Sequence, residues 1–301
     1  MEIYVVTPAL TTLGENPIWD VDEQRLYWID VFGGLVFRST ADGREIRVLE
    51  APGHLSSLAL RAGGGAIVTM GTAIALLDLE TGEAEPIFDL EAGPGWSFND
   101  GKVDRQGRFV TGTVDRGLLE TSARDLVDTL TPPSKLYRVD PDLQVHLLAG
   151  GIGISNGPCF SPDGSTLYWN DSWARRTYAY DYDTSTGEAS QQRVVAAFGE
   201  SAGVPDGATV DEEGFVWLAS FNGGDVRRYA PDGTLDRQLP MPVGMPTSVA
   251  FGGPDLDILF VTSMGGATLD TELAPPGPLG GCVLAVRGLG VRGVPERRFA
   301  G

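Results

Sequence analysis

The sequence predicts an all-β fold, a six-bladed β-propeller with four-stranded antiparallel blades. Three observations predict it. One pattern, an Asp/Gly turn followed by a strand, a tight turn and a second strand, recurs six times along the 301 residues. The spacing of roughly 40–55 residues fits one blade per repeat. No stretch carries a convincing helical apolar period; the best candidate, 118–130, is short of good helix signals.

The repeats follow in order. The first runs from Asp22 through Leu26-Tyr27-Trp28-Ile29-Asp30 and Leu35-Val36-Phe37-Arg38 to Asp42-Gly43. The second runs from Gly65-Ala66-Ile67-Val68-Thr69 through Ala73 to Asp78, closing on Thr81-Gly82. The third has Gly107 to Thr113, then Lys135 to Asp140. The fourth has Asp163-Gly164, then Leu167-Tyr168-Trp169-Asn170-Asp171, then Thr177 to Asp181. The fifth has Gly214 to Ser220, Asp225 to Tyr229 and Asp232-Gly233. The sixth has Leu259 to Ser263, then Cys282 to Val286. The strands are rich in Val, Ile, Leu, Tyr and Trp, as pleated, half-buried surfaces require. Pairs such as Asp42-Gly43 and Asp163-Gly164 supply the turns between antiparallel strands. Six such units fill the chain, so a single domain over 1–301 is expected, and a closed ring hides the sheet edges that an all-β chain must protect. A β-sandwich or two smaller barrels is the alternative. Residues 117–134 and 269–281 interrupt the rhythm and are expected as loops on a face of the ring, either lids or inert excursions.

Bulk composition narrows the function. The net charge of −19 repels nucleic acid and anionic lipid, and no basic patch is present. No run approaches the roughly 20 apolar residues of a membrane span. The start, Met1 to Val6, lacks the basic and apolar regions of a signal peptide, so a cytoplasmic protein is expected. Cys159 and Cys282 have no metal-ligand or disulfide spacing and are expected as packed, reduced thiols. With two histidines, His54 and His146, and no nucleophile-elbow pattern, a Ser–His–Asp triad has no support. His146 falls in an apparent outer strand; His54 falls in a loop at a possible channel mouth. No phosphate-binding glycine motif occurs.

A stronger pattern lies just before or within the innermost strand of four blades. Glu15 in Gly14-Glu15-Asn16-Pro17, Asn99 in Phe98-Asn99-Asp100-Gly101, Asn156 in Ser155-Asn156-Gly157 and Asp206 in Pro205-Asp206-Gly207 occupy matching points of four repeats. Inner strands line a propeller's channel, so four blades would aim oxygen-bearing side chains at one axis. Two carboxylates and two amides are hard donors, suited to Ca²⁺, Mg²⁺ or Mn²⁺. Without a cation, Glu15 and Asp206 would repel one another at low dielectric. Singly, each is also ordinary turn chemistry; the recurrence favours a site.

These motifs, with Gly107-Arg108 and Asn222-Gly223-Gly224-Asp225-Val226, resemble those of the senescence marker protein/gluconolactonase/luciferin-regenerating enzyme (regucalcin-like) family over nearly the whole chain. The resemblance implies a six-bladed propeller holding one divalent metal ion (Ca, Zn, Mn or Mg) on Glu15, Asn156 and Asp206. It implies a small-molecule lactone, sugar or sugar-like, as substrate, beside Asn99 and Ser97, and hydrolysis with Asp206 as the catalytic base. Ser97 stands where sugar lactonases of the family often carry Arg, leaving a larger and less charged pocket, with Trp96 as a candidate apolar wall. The alternatives are a hydrolase or isomerase of a less polar cyclic ester, or a non-catalytic calcium-binding propeller. A monomer or weak homo-oligomer is expected, with no nucleic-acid or membrane partner.

Overall fold

A computed structural model describes residues 1–93, 95–115, 134–200, 202–266 and 277–301. The predicted helical stretch 118–130 and most of the two expected interruptions lie outside these residues. Among the described residues there is no helix long and apolar enough to cross a membrane.

Six four-stranded antiparallel sheets make a six-bladed β-propeller. The first strand, β1 (Glu2–Thr7), stands apart from the blade that follows it. Blade one is β2 (Gly14–Asp20), β3 (Arg25–Asp30), β4 (Leu35–Ser39) and β5 (Arg47–Glu50). Blade two is β6 (Leu55–Leu60), β7 (Ala66–Met70), β8 (Ala73–Leu77) and β9 (Ala84–Asp89). Blade three is β10 (Trp96–Val103), β11 (Phe109–Asp115), β12 (Ser134–Val139) and β13 (Val145–Ile152). Blade four is β14 (Ser155–Phe160), β15 (Thr166–Asp171), β16 (Arg176–Tyr182) and β17 (Ala189–Ala197). Blade five is β18 (Val204–Val210), β19 (Val216–Phe221), β20 (Asp225–Tyr229) and β21 (Leu235–Pro240). Blade six is β22 (Pro246–Gly252), β23 (Ile258–Ser263) and β24 (Val283–Arg287). Its outermost place is taken by β1, which pairs with β24 from Glu2↔Arg287 to Thr7↔Val283. The repeat pattern did not foretell this return of the N-terminal strand.

The apolar strands are explained by burial on both faces. Leu26 and Trp28 of β3 pack against blade six, while the intervening Tyr27 packs against blade two. In the same way Leu167 and Trp169 of β15 face blade three and Tyr168 faces blade five. Alternate residues point to opposite faces, so a strand between two neighbouring blades reads as continuously apolar. Each of the six inter-blade interfaces holds its own buried cluster. The Asp42-Gly43 turn has Gly43 at φ +73°, and a Cβ there would meet the Val6 carbonyl oxygen at 1.8 Å. Only glycine allows that approach.

The chain after β24 crosses the ring at the end where the inner strands finish. The Glu212 N–H donates to the Arg292 carbonyl oxygen, the Phe299 N–H to Leu60 and the Ala300 N–H to Gly107. Arg298 pairs with Asp20, and Glu296 with Lys102. Phe299 is fully buried between blades two and three, against Ala59, Ile67, Phe98 and Phe109. We predict that Phe299→Ala lowers the unfolding free energy by about 3–5 kcal/mol, as for other buried Phe truncations. A urea titration showing less than about 1 kcal/mol would mean that the tail adds little to the fold.

His146 lies on β13, an outer strand, beside Asp140 at 3.2 Å. Cys159 and Cys282 are both buried and unpaired, and burial pushes the Cys159 thiol up to about 12.

Candidate active site at the channel mouth

Every blade repeats the same up-and-down order, so all six inner strands begin at one end of the channel. Near that end each inner strand loses register with its neighbour. The shift falls between Glu15 and Ile18 in β2, Phe98 and Gly101 in β10, Asn156 and Cys159 in β14, and Pro205 and Ala208 in β18. A bulge of this kind bends the strand and re-aims its side chains. The Asn and Gly residues that read as turn formers therefore sit within strands. Gly157, at φ +49°, shows why: a Cβ there would lie 2.4 Å from Asn170 Nδ2 and 2.5 Å from the Asp206 carbonyl oxygen.

The bulges bring blades three, four and five into one polar chain. Asn99 Nδ2 donates to Asn156 Oδ1 and to the Ser155 carbonyl oxygen, both at 2.7 Å. Asn156 Nδ2 donates to Ser172 Oγ at 2.9 Å, and Ser172 Oγ donates to the Pro205 carbonyl oxygen at 2.6 Å. Asn170 Nδ2 donates to the carbonyl oxygen of Asp206 itself. Glu15 Oε2 accepts the Asn16 N–H at 3.0 Å.

Glu15 and Asp206 are joined by charge. Burial raises the proton affinity of the Glu15 carboxyl well above the usual range, and the charges of Asp206 and Asp100 add to the effect. Burial likewise raises Asp206 well above its ordinary value, with Asp100 next in weight. Among the described residues neither Glu15 nor Asp206 has a lysine or arginine partner. Lys102, the cation deeper in the channel, is committed to Glu296 at 3.1 Å and to the Ala208 carbonyl oxygen at 3.2 Å.

Two functional neighbours escaped the sequence reading. Asn16, in a left-handed conformation at φ 52°, accepts the Leu58 N–H at 2.7 Å and donates to Asp100 Oδ1 and the Gly101 carbonyl oxygen. It thereby ties blade one to blades two and three. Asp100 accepts the Gly101 N–H at 2.7 Å and, through its other oxygen, the Gly157 N–H at 2.9 Å. The sequence signal was the polar residue beside each of Glu15 and Asn99 in strands otherwise destined for burial. Ser97 is buried at the start of β10, paired with Val114 and two residues before Asn99. Trp96 beside it is partly exposed, and His54 is exposed in the loop before β6.

The donor set suits a hard divalent cation. Two carboxylates whose charged forms burial disfavours, with no lysine or arginine partner among the described residues, are costly until a cation neutralises them. Among the described residues no three His, Cys, Asp or Glu side chains gather to hold a metal. A cation here would thus rely on two carboxylates, amide oxygens and water, as Ca²⁺ and Mg²⁺ do.

Fold and site together define a β-propeller that presents carboxylates and carboxamides at one mouth of its channel. The chain belongs to the SMP-30/gluconolactonase/LRE-like family, whose region matches residues 13–265. It is 38% identical over 293 residues to the 6-deoxy-6-sulfogluconolactonase of Pseudomonas putida, covering 97% of this chain and 96% of that one. It is 33% identical over 303 residues to regucalcin of Xenopus laevis, covering 100% of this chain and 99% of that one. Among solved structures, a calcium-binding protein, regucalcin, from Agrobacterium tumefaciens superposes with a TM-score of 0.85 at 29% identity, covering 99% and 97% of the two chains.

Proposed function

We propose that this protein is a divalent-metal-dependent lactonase that hydrolyses a small sugar or sugar-like lactone to its hydroxy acid, with residues 1–301 acting as one domain. The observation that carries the reading is the pair of carboxylates Glu15 and Asp206, both raised by burial, with the Asp206 charge adding to the effect on Glu15 and no lysine or arginine partner among the described residues. The lactonase relative supports the reaction class, and the calcium-binding relative supports the cation. The two unpaired cysteines suit a cytoplasmic setting.

Glu15, Asn156 and Asp206 would hold the metal. When bound, the cation supplies Lewis-acid polarisation of the lactone carbonyl. Asp206 takes a proton from the attacking water, whose oxygen bonds to the carbonyl carbon. The ring C–O bond then breaks, and the departing alkoxide recovers the proton. The Asn99 carboxamide, anchored on Asn156 and the Ser155 carbonyl oxygen, orients substrate or the attacking water. Ser97 contributes a short neutral wall.

The test is a pH-indicator assay of lactone opening on metal-stripped protein, with Ca²⁺, Mg²⁺, Mn²⁺ and Zn²⁺ restored separately. Turnover is expected only after restoration. Equal turnover in the stripped sample would remove the metal from the reading. Tight Ca²⁺ binding with no lactone opened under any metal would favour the second reading, a non-catalytic cation-binding propeller, which the calcium-binding relative supports.

A further inference from the structure

Asn16 stands between the side chains assigned to the cation. At φ 52° its backbone is left-handed, and its N–H turns back onto the preceding side chain to meet Glu15 Oε2 at 3.0 Å. Asparagine tolerates this region better than most residues, and here three side-chain hydrogen bonds hold it. Oδ1 accepts the Leu58 N–H at 2.7 Å, while Nδ2 donates to Asp100 Oδ1 at 3.3 Å and to the Gly101 carbonyl oxygen at 3.2 Å. The donors and the acceptor of the amide are thus all engaged. Asn16 is only 3% exposed, yet it borders a hollow of about 320 Å³ shared with Ile18, Leu58, Gly101 and Lys102. Close packing is therefore incomplete around it, and directional bonds fix its place.

The same bonds lead on to a second blade of the site. Asp100 Oδ2 accepts the Gly157 N–H at 2.9 Å, and Gly157 follows Asn156 in the chain. Asn156 Oδ1 in turn accepts from Nδ2 of Asn99, the residue before Asp100, at 2.7 Å. The path Glu15, Asn16, Asp100, Gly157, Asn156 crosses blades one, three and four, and the Leu58 bond adds blade two. A Ca²⁺ ion takes its oxygens at about 2.3–2.6 Å, so donors carried by different blades must be held in step.

We propose that Asn16 is a positioning residue for the cation site, setting the Glu15 carboxylate of blade one against Asn156 of blade four. The assignment rests on the metal-dependent reading of the site and adds a residue that acts through its neighbours. Its amide locks the left-handed turn, the turn aims the N–H at Glu15, and Asp100 carries the same register to Gly157.

The experiment measures the Ca²⁺ dissociation constant by isothermal titration of metal-stripped protein, together with the urea midpoint of each variant. Asn16→Gly leaves the left-handed backbone accessible and removes all three side-chain bonds. It is expected to weaken Ca²⁺ binding ~10–100-fold, the cost of losing a group that orients metal ligands. The Ca²⁺ concentration that half-saturates lactone opening should rise by the same factor. Asn16→Ser, which retains one side-chain oxygen, is the milder variant should glycine prevent folding, and is expected to weaken binding in the same direction. Phe299→Leu loosens the ring at its opposite end. It should lower the urea midpoint yet leave Ca²⁺ affinity within ~2-fold, as for distant, independent sites. An affinity within ~2-fold of the unmodified protein in the folded Asn16 variants, or an equal loss in Phe299→Leu, would overturn the positioning role. An unmodified protein that binds none of Ca²⁺, Mg²⁺, Mn²⁺ and Zn²⁺ would instead remove the cation reading, and this role with it.

Discussion

Replacing Asp206 with Asn should reduce kcat by ~10³-fold, within the range that positioned proton acceptors contribute. The amide keeps the size of the side chain and one oxygen donor, but it cannot accept a proton from water. The loss should therefore fall on kcat more than on KM. Metal content measured on the variant separates the two tasks of this residue. Unchanged turnover with the cation still bound would exclude Asp206 as the base. Loss of the cation together with activity would mean that its part in holding the metal dominates.

The second large effect concerns stability. Folding raises both Glu15 and Asp206 above their ordinary values of 4.5 and 3.8. A carboxyl raised in this way favours the folded state fully when protonated. That contribution is present below the ordinary value and is lost as pH climbs through the raised value. Metal-free protein should therefore melt at progressively lower temperature as pH rises from roughly 4 toward 8. Glu15→Gln should flatten that slope and raise the melting temperature at pH 8. A saturating divalent ion should act more strongly on the unmodified protein. At a thousandfold excess over Kd, binding adds about 4 kcal/mol, or about 8 °C at about 2 °C per kcal/mol for a chain of this size. A metal-free melting temperature that stays level or climbs between pH 5 and pH 8 would contradict the uncompensated pair.

Much of the propeller was legible because its repeats carry their own punctuation. Leu26-Tyr27-Trp28 and Leu167-Tyr168-Trp169 announce second strands buried on both faces, and the Asp-Gly pairs announce the turns. The four polar residues of the inner strands could be listed for the same reason, since they recur at matching points. Long-range pairing was not legible. Nothing local in Glu2–Thr7 says that its partner is Val283–Arg287, and nothing in Arg298-Phe299 says that the ring closes over Leu60 and Phe109. The bulges were hidden as well. Asn-Gly-Pro and Pro-Asp-Gly have the composition of turns, yet in β14 and β18 the same residues let strands bend while keeping their neighbours. Asn16 and Asp100 were overlooked because their value lies in joining separate blades.

The pairing of β1 with β24 has a bearing on biosynthesis. Thr7 and Val283, whose hydroxyl and N–H meet at 3.2 Å, are 276 positions apart. At ribosomal rates of about 5–20 residues per second, the first strand waits roughly 15–60 s for its partner. During that wait the nascent chain carries a bare β-edge, open to association with other chains. Stalled or prematurely terminated products lacking Val283–Arg287 would keep that edge, which makes them natural clients for holdase chaperones and early targets of proteolysis.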